Sequence, residues 1–346
     1  MVRGVSDLRP RVVAPAASLQ TPARDGMSEL FEQIRASCRE VTRRARHVRL
    51  DEDALERFAE RLARERWPED ELDPAHHFAG PDAERLAFVF ALDAINFGSG
   101  WFPLLRKPPG MSGYRTIATA CKEAFETRGS PSPDELRQTS SDSMAELLGQ
   151  DARDPQVMDL MSLFAQAWRD LGRWLGARFD DSFEAVLQAS AHSAERLVGL
   201  LAEMPLYRDL SPYEELVVPF YKRAQITAAD LHRAFGSGGR GRFDDLDRLT
   251  LFADNLVPHV LRCHGVLVHS EVLARRIDSG DLLVVGSLEE VEIRAVAVDA
   301  VERLVAALGV RGLVTTAHAL DALLWNAGQA PEIKARPRHR ARSSFY

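Results

Sequence analysis

The sequence predicts a mainly α fold with at most a few short strands. Apolar residues recur every three or four positions through most of the chain after Met27, as on the buried face of a helix. Two long patterns of this kind run without a break over about 155–179 and 182–204. No regular alternation of strand and helix patterns appears, which argues against a doubly wound or barrel enzyme.

The N-terminal quarter divides into an arm and the first helices. Residues 1–25 are rich in Arg, Pro and Ala and show no period, so we expect a flexible N-terminal arm. Residues 26–346 then form a single helical domain, for which a division into two lobes stays open. The first helical stripes comprise Leu30, Ile34 and Cys38, and then Leu55, Phe58 and Leu62.

The middle of the chain continues with helices separated by Gly and Pro breaks. A largely apolar stretch over 82–95 predicts a buried helix, followed by a loop at 97–100 and a second break at 108–110. Ser132, followed by Pro133 and two acids, predicts a helix start. The apolar stripe within 155–179 is typical of a helical core.

The C-terminal half predicts four more helices, over about 245–263, 270–277, 289–308 and 315–325. The Gly-rich stretch 236–241 lacks the Gly-Lys-Ser/Thr ending of a phosphate loop, so we interpret it as a connector. Short apolar runs at 217–218 and 282–285 are compatible with small strands. A basic tail follows, over 336–342.

Composition excludes several classes of protein. The 51 acidic and 44 basic side chains give a net charge of −7, which argues against a broad nucleic-acid surface. No apolar run reaches the roughly 18 residues of a membrane span, and the first residues lack the apolar core of a secretion signal. Only three cysteines occur, far apart, so we expect no disulfide framework and a cytoplasmic location.

Metal and serine-hydrolase motifs are absent. His76 and His77 are adjacent, and His259 and His264 are five residues apart; neither pair has the spacing of a zinc helix motif. No Gly-x-Ser-x-Gly elbow occurs. We therefore expect no metal and no cofactor.

Four segments place polar side chains in apolar surroundings. They contain Asp93 with Asn96, Lys222 (one of only four lysines in the chain), Phe252 with Asp254, and Asp321. A buried polar group needs a partner, so each segment either joins a structural hydrogen-bond network or lines a pocket. Phe252 and Asp254 diverge on a regular helix, and only a helix end or bend would turn both toward one cavity.

Six segments, in order, resemble the queuosine salvage family, the queuosine 5'-phosphate N-glycosylases. They are LDAINFGSGWF at 92–102, MPLYRD at 204–209, FYKRAQITAADL at 220–231, LTLFADNLVPHVL at 249–261, EEVEIRA at 289–295 and LDALLWN at 320–326. The resemblance runs from about His76 to the C-terminus. It implies a fold similar to the helical DNA glycosylases and hydrolysis of queuosine 5'-monophosphate to queuine and ribose 5-phosphate.

The resemblance also implies roles for individual residues. Asp254 matches the catalytic aspartate, Phe252 a base-contacting aromatic, and Asp321 an acid that binds the base. His77 matches a histidine near the pocket entrance, with His76 as the alternative. The matching segments add Asn96, Lys222, Trp325 and Asn326 to the expected substrate-binding residues. From its charge, Lys222, together with Arg223 or a nearby histidine, could hold the 5'-phosphate. Trp101 is an alternative stacking partner for the base.

The chain departs from the family pattern at two positions. Ala322 stands where members often have Tyr, which puts one expected contact in doubt. His259 stands where such members have Gln, which weakens any role for a Gln there.

The residue types suit glycosidic cleavage. Breaking the C–N bond builds positive charge on the ribose, which a carboxylate such as Asp254 can stabilise or attack as a nucleophile. We expect a monomeric enzyme of small-molecule substrates, with no nucleic-acid or membrane partner. Two alternatives remain: a non-catalytic queuine-binding protein, and a glycosylase acting on a base extruded from a polymer.

Overall fold

The computed structural model describes residues 29–67 and 70–346 and is mainly α-helical. The predicted N-terminal arm lies outside the described residues. The α-helices of the N-terminal half are α1 Leu30–Arg44, α2 Glu52–Leu62, α3 Asp82–Ala94, α4 Gly113–Arg128, α5 Pro133–Gln138, α6 Ser141–Leu147 and α7 Pro155–Phe179. Those of the C-terminal half are α8 Phe183–Ser190, α9 Ala194–Leu201, α10 Lys222–Phe235, α11 Val257–Cys263, α12 Glu271–Asp278, α13 Leu288–Val310, α14 Ala317–Ala327 and α15 Pro331–Lys334. The predicted mainly α fold is confirmed.

Six short strands form three two-stranded sheets within the described residues. The strands are β1 Val48–Leu50, β2 Leu210–Tyr213, β3 Leu216–Pro219, β4 Leu267–His269, β5 Leu282–Leu283 and β6 Arg340–Ala341. β1 pairs antiparallel with β4, β2 forms a hairpin with β3, and β5 runs parallel to β6. The last pairing matters for the site, because it ties the basic tail to the body of the protein.

The helix starts and ends follow local chemistry. The Ser132 side chain accepts a hydrogen bond from the backbone N–H of Glu135, and the Glu135 carboxylate accepts one from the backbone N–H of Ser132. The predicted start of α5 is therefore a complete capping box. Asp154 caps α7, which ends at Asp180 in a left-handed conformation. The predicted bounds of this long helix, 155–179, are those of the structure.

Two helices that the sequence predicts as continuous are interrupted in the structure. The pattern over 182–204 is split into α8 and α9, because Ala191 and His192 both adopt left-handed backbone conformations, with φ of 48° and 60°. The pattern over 245–263 contains only a 3-10 turn at Leu246–Arg248 and the short α11. Residues 249–256 between them follow an irregular path, which brings Phe252 and Asp254 to a cavity.

The core is organised around α13, which is buried on nearly all sides. It packs against α1, α2, α11 and α14, and also against β1 and β2. Charged residues lie among its buried positions, including Glu290, Glu292 and Arg294. Such groups are stable in a core only when they are paired or hydrogen-bonded. No helix among the described residues is long and apolar enough to cross a membrane.

Candidate active site

A cavity of about 680 Å³ opens between the end of α3, the start of α4, the first turns of α10, the 252–256 segment, α14 and the 334–340 stretch. This volume lies within the roughly 300–1,000 Å³ typical of small-molecule sites. Its walls combine aromatic rings with carboxylates, amides and cationic side chains.

All eight predicted site residues line this one cavity. They are His77, Asn96, Lys222, Phe252, Asp254, Asp321, Trp325 and Asn326. His76 also lines it, so both histidines lie at the cavity wall. The segments that carry these residues are separated by as much as 249 positions in sequence, and only the tertiary fold brings them together.

Two residues considered from the sequence do not lie on the cavity wall. Trp101 is buried beside the guanidinium of Arg342. Arg223 is also buried, between the rings of Phe97 and Tyr207. Its guanidinium donates to backbone carbonyls, including that of Ala94. Arg223 is therefore a structural residue, and the expectation that it helps to hold a phosphate is wrong.

Asp254 is held by the backbone that follows it. Its Oδ1 accepts hydrogen bonds from the N–H groups of Leu256, at 2.7 Å, and Val257, at 3.1 Å, where α11 begins. Its Oδ2 accepts no hydrogen bond from the described residues. The carboxylate is half-buried and faces the cavity with one oxygen fixed and the other available to a ligand.

Asp321 is a second carboxyl of the cavity with a different environment. It is 7% exposed, and its Oδ1 accepts the backbone N–H of Phe252 at 3.2 Å. Burial, and then the nearby charge of Asp254, raise its pKa well above the usual value for aspartate. Two carboxyls in contrasting environments are a common arrangement in acid–base sites.

Lys222 and Asn96 form one polar unit at the inner wall. The Lys222 ammonium donates to the Asn96 backbone carbonyl at 3.1 Å and to its side-chain oxygen at 3.4 Å. Burial lowers the pKa of Lys222, while Asp254 is the largest influence in the opposite direction. Behind this unit, Asp93 is fully buried, and burial, followed by the nearby charge of Asp230, raises its pKa well above the usual value for aspartate.

The histidine side of the cavity is connected to an aromatic wall. His77 Nδ1 lies 2.9 Å from the Asp73 carbonyl, and its Nε2 lies 3.1 Å from the Tyr114 hydroxyl. The Tyr114 ring packs edge-to-face on Trp325, with centroids 5.8 Å apart. His76 is bonded to Thr119 through Nδ1 at 2.8 Å. Tyr114 therefore links His77, through a hydrogen bond, to Trp325, through ring packing.

Sequence reasoning missed several cavity residues of functional type, among them Tyr114, Asp230 and Arg338. Asp230 is buried, and its Oδ1 accepts from Arg233 at 2.6 Å. Its position two turns after Lys222 on α10 is the signal that could have found it. Tyr114 lies in a segment without a motif, whereas Arg338 lies in the basic tail over 336–342.

No metal site emerges from the described part of the chain. Nowhere in residues 29–67 and 70–346 do three or more His, Cys, Asp or Glu side chains come together as metal ligands. The three cysteines are free thiols.

Comparison with known proteins now identifies the family. Residues 76–346 match the family model described as queuosine salvage protein. The chain belongs to this family. It is 33% identical over 319 residues to the queuosine 5'-phosphate N-glycosylase/hydrolase of Sphaerobacter thermophilus, covering 90% of this chain and 97% of that protein. It is 30% identical over 335 residues to the protein of the same name from Mus musculus, covering 90% and 98%.

The queuosine salvage match spans every predicted site residue and both departures noted in the sequence. Ala322 lines the cavity, so the small side chain leaves space where members often have Tyr. His259 is buried away from the cavity wall, with Nε2 3.0 Å from the Ile333 carbonyl. The departure from the family pattern at this position therefore lies beside α15 and not on the cavity wall.

Proposed function

We propose that this protein is an N-glycosidase that hydrolyses queuosine 5'-monophosphate to queuine and ribose 5-phosphate. The observation that carries the proposal is the convergence of all eight predicted residues, Asp254 among them, on one cavity of suitable size. The names of the curated relatives support the same reaction and substrate.

Asp254 is the catalytic carboxylate in this proposal. Departure of the base leaves positive charge on the ribose ring, centred on the anomeric carbon and ring oxygen. A carboxylate fixed by the N–H groups of Leu256 and Val257 needs little reorganisation as that charge develops. Its free Oδ2 either stabilises the cation while water attacks or bonds to the anomeric carbon first.

Asp321 and the aromatic wall bind the departing base. Because its pKa is raised, Asp321 keeps its proton at higher pH than an ordinary aspartate and can donate a hydrogen bond to the polar edge of the base. That bond strengthens as negative charge accumulates on the base. Phe252 and Trp325 offer flat faces for stacking, and Asn326 adds an amide at the rim.

Lys222 holds the 5'-phosphate. Two contacts to Asn96 orient its ammonium, and a third N–H remains for a ligand. Binding energy from this remote group can be used to hold the reacting bond beside Asp254. Arg338, which is close enough to Asp254 to interact with its charge, is another cation of the cavity wall.

The enzyme works, in this proposal, as a cytoplasmic monomer with residues 26–346 as one catalytic domain. Its substrate is a free nucleotide, since a net charge of −7 opposes a nucleic-acid polymer.

A discontinuous assay tests the reaction. Purified protein is incubated with queuosine 5'-monophosphate, and queuine and ribose 5-phosphate are followed by chromatography. Equimolar release of both products is expected. Absence of release, together with a thermal shift on adding queuine, would instead favour a non-catalytic binding protein.

A further inference from the structure

A buried ion pair outside the cavity lining contacts the backbone of Lys222 and of Ala253, the residue before Asp254. It joins Arg294 on α13 to Asp209, which precedes β2. The two guanidinium–carboxylate bonds measure 3.0 and 2.6 Å, and the side chains are only 1% and 3% exposed. Neither residue lines the cavity, so neither touches a substrate bound there.

The Arg294 end of this pair holds the peptide that carries Asp254. Arg294 Nε donates to the Ala253 carbonyl at 3.0 Å, and that carbonyl belongs to the same peptide unit as the Asp254 nitrogen. The guanidinium itself is fixed between two rings, with its carbon 3.9 Å from the Phe220 centroid and 4.7 Å from the Tyr346 centroid. Its position is therefore set independently of the irregular 249–256 segment.

The Asp209 end holds the start of α10, where Lys222 lies. Asp209 Oδ2 accepts the Lys222 backbone N–H at 3.2 Å, and the Asp209 carbonyl accepts the N–H of Phe220 at 2.9 Å. Between them, Tyr221 adopts a left-handed conformation with φ of 48°. A tyrosine in that conformation needs surrounding contacts to maintain it.

We propose that the Asp209–Arg294 pair is a positioning clamp that sets the location of Asp254 relative to Lys222, and hence of the catalytic carboxylate relative to the bound phosphate. The inference rests on the proposed function and extends it to residues outside the cavity. It also gives a role to the MPLYRD and EEVEIRA segments, which contribute nothing to the cavity wall themselves.

Arg294→Lys tests the clamp. Lysine keeps a cation beside Asp209 but cannot form two parallel bonds and also reach the Ala253 carbonyl. The Asp254 peptide loses its anchor, while Asp209 still accepts the Lys222 N–H. Displacement of a catalytic group by about 1 Å can cost on the order of 10²-fold in rate. We expect kcat to fall by about that factor, with KM near the wild-type value.

Glu292→Gln is the matched control on the same helix. Glu292 is fully buried and accepts the backbone N–H groups of His47, at 2.6 Å, and Val48, at 3.0 Å, and none of these three residues lines the cavity. We expect this variant to lower Tm and to leave kcat unchanged. Rates are compared at a temperature where both variants are folded.

A triple variant covers the case in which Arg294→Lys does not fold. Asp209→Asn with Arg294→Gln and Glu290→Gln removes the Arg294 cation and both buried carboxylates that it faces, so that no unpaired ion is left at this place in the core. It should fold and show the same loss of kcat.

The outcomes separate the clamp from the reaction itself. If the wild-type protein is active and either clamp variant has an unchanged kcat, the clamp proposal alone is overturned. A KM increase without a kcat loss would also overturn it. Absence of base release by the wild type would overturn the proposed function and the clamp with it.

Discussion

Replacing Lys222 with methionine should separate recognition of the phosphate from the cleavage reaction. Methionine keeps an unbranched stem in the buried position and removes the charge. In the structure, two of the contacts of the ammonium go to Asn96, so one N–H remains for a ligand. One hydrogen bond to a charged group contributes about 1.5–3 kcal/mol. At about 1.4 kcal/mol per tenfold, kcat/KM should fall by roughly 10- to 150-fold for queuosine 5'-monophosphate.

The assay measures initial rates of queuine release with the 5'-phosphate and with the free nucleoside. The nucleoside has no phosphate to lose, so its kcat/KM should change much less in Lys222→Met. Lys222→Arg serves as the control for charge, and it should retain part of the preference for the phosphate. An equal loss on both substrates would refute the assigned role and place Lys222 with the groups that support Asp254.

Three further predictions concern other side chains of the site. Phe252→Leu removes an aromatic face on which the base can stack, and such stacking contributes about 1–3 kcal/mol per base. KM should therefore rise about 5- to 150-fold, with a smaller change in kcat. An unchanged KM would show that Phe252 does not stack on the base. In the wild type, kcat should fall as pH rises through the raised pKa of Asp321, because the Asp321 carboxyl then loses its proton. Asp321→Asn should eliminate this alkaline limb of the kcat–pH profile. Persistence of the limb would contradict the role of Asp321 as a proton-bearing acid. Asp93 is protonated more readily in the folded than in the unfolded chain, so its stabilisation is complete below pH about 4 and is lost as pH rises through the raised pKa. Asp93→Asn should therefore flatten the decline of Tm as pH rises above about 4, whereas parallel Tm–pH curves would show that Asp93 does not titrate in the folded protein.

The helices that the sequence predicts well are those whose signals are local. The 155–179 helix has a continuous apolar stripe and a capping aspartate, and both are visible in the printed sequence. The helix predicted over 315–325 appears as α14, capped by Thr316. Burial on one face and a cap at one end suffice to fix such elements.

The segment around Asp254 is different, because distant partners determine its path. Its apolar period predicts a helix, but the Thr250 N–H bonds to the Gln225 side chain and the Phe252 N–H bonds to Asp321. Asp254 then binds the N–H groups at the start of α11. Helical periodicity contains no information about partners 25 or 69 residues away, so the local prediction fails where the site is built.

The predicted part of the candidate site depends on the family resemblance. Asp254, Phe252 and Asp321 lie in segments that resemble the queuosine salvage proteins, and all three line the cavity. Tyr114 has no such segment, and its place beside His77 depends on packing between α4 and the 70–80 region. Arg223 shows the reverse error, since a cation next to Lys222 in sequence points in another direction on the helix.

The most direct test of the account is base release by wild type and Asp254→Asn under single-turnover conditions. Asparagine has nearly the same volume and removes the charge that stabilises the ribose cation. Excess enzyme is mixed with queuosine 5'-monophosphate, free queuine is quantified over time, and queuine binding is measured separately by calorimetry. We predict rapid release by the wild type, none by Asp254→Asn, and retained queuine binding by both. Comparable release by the two proteins would contradict the central role of Asp254.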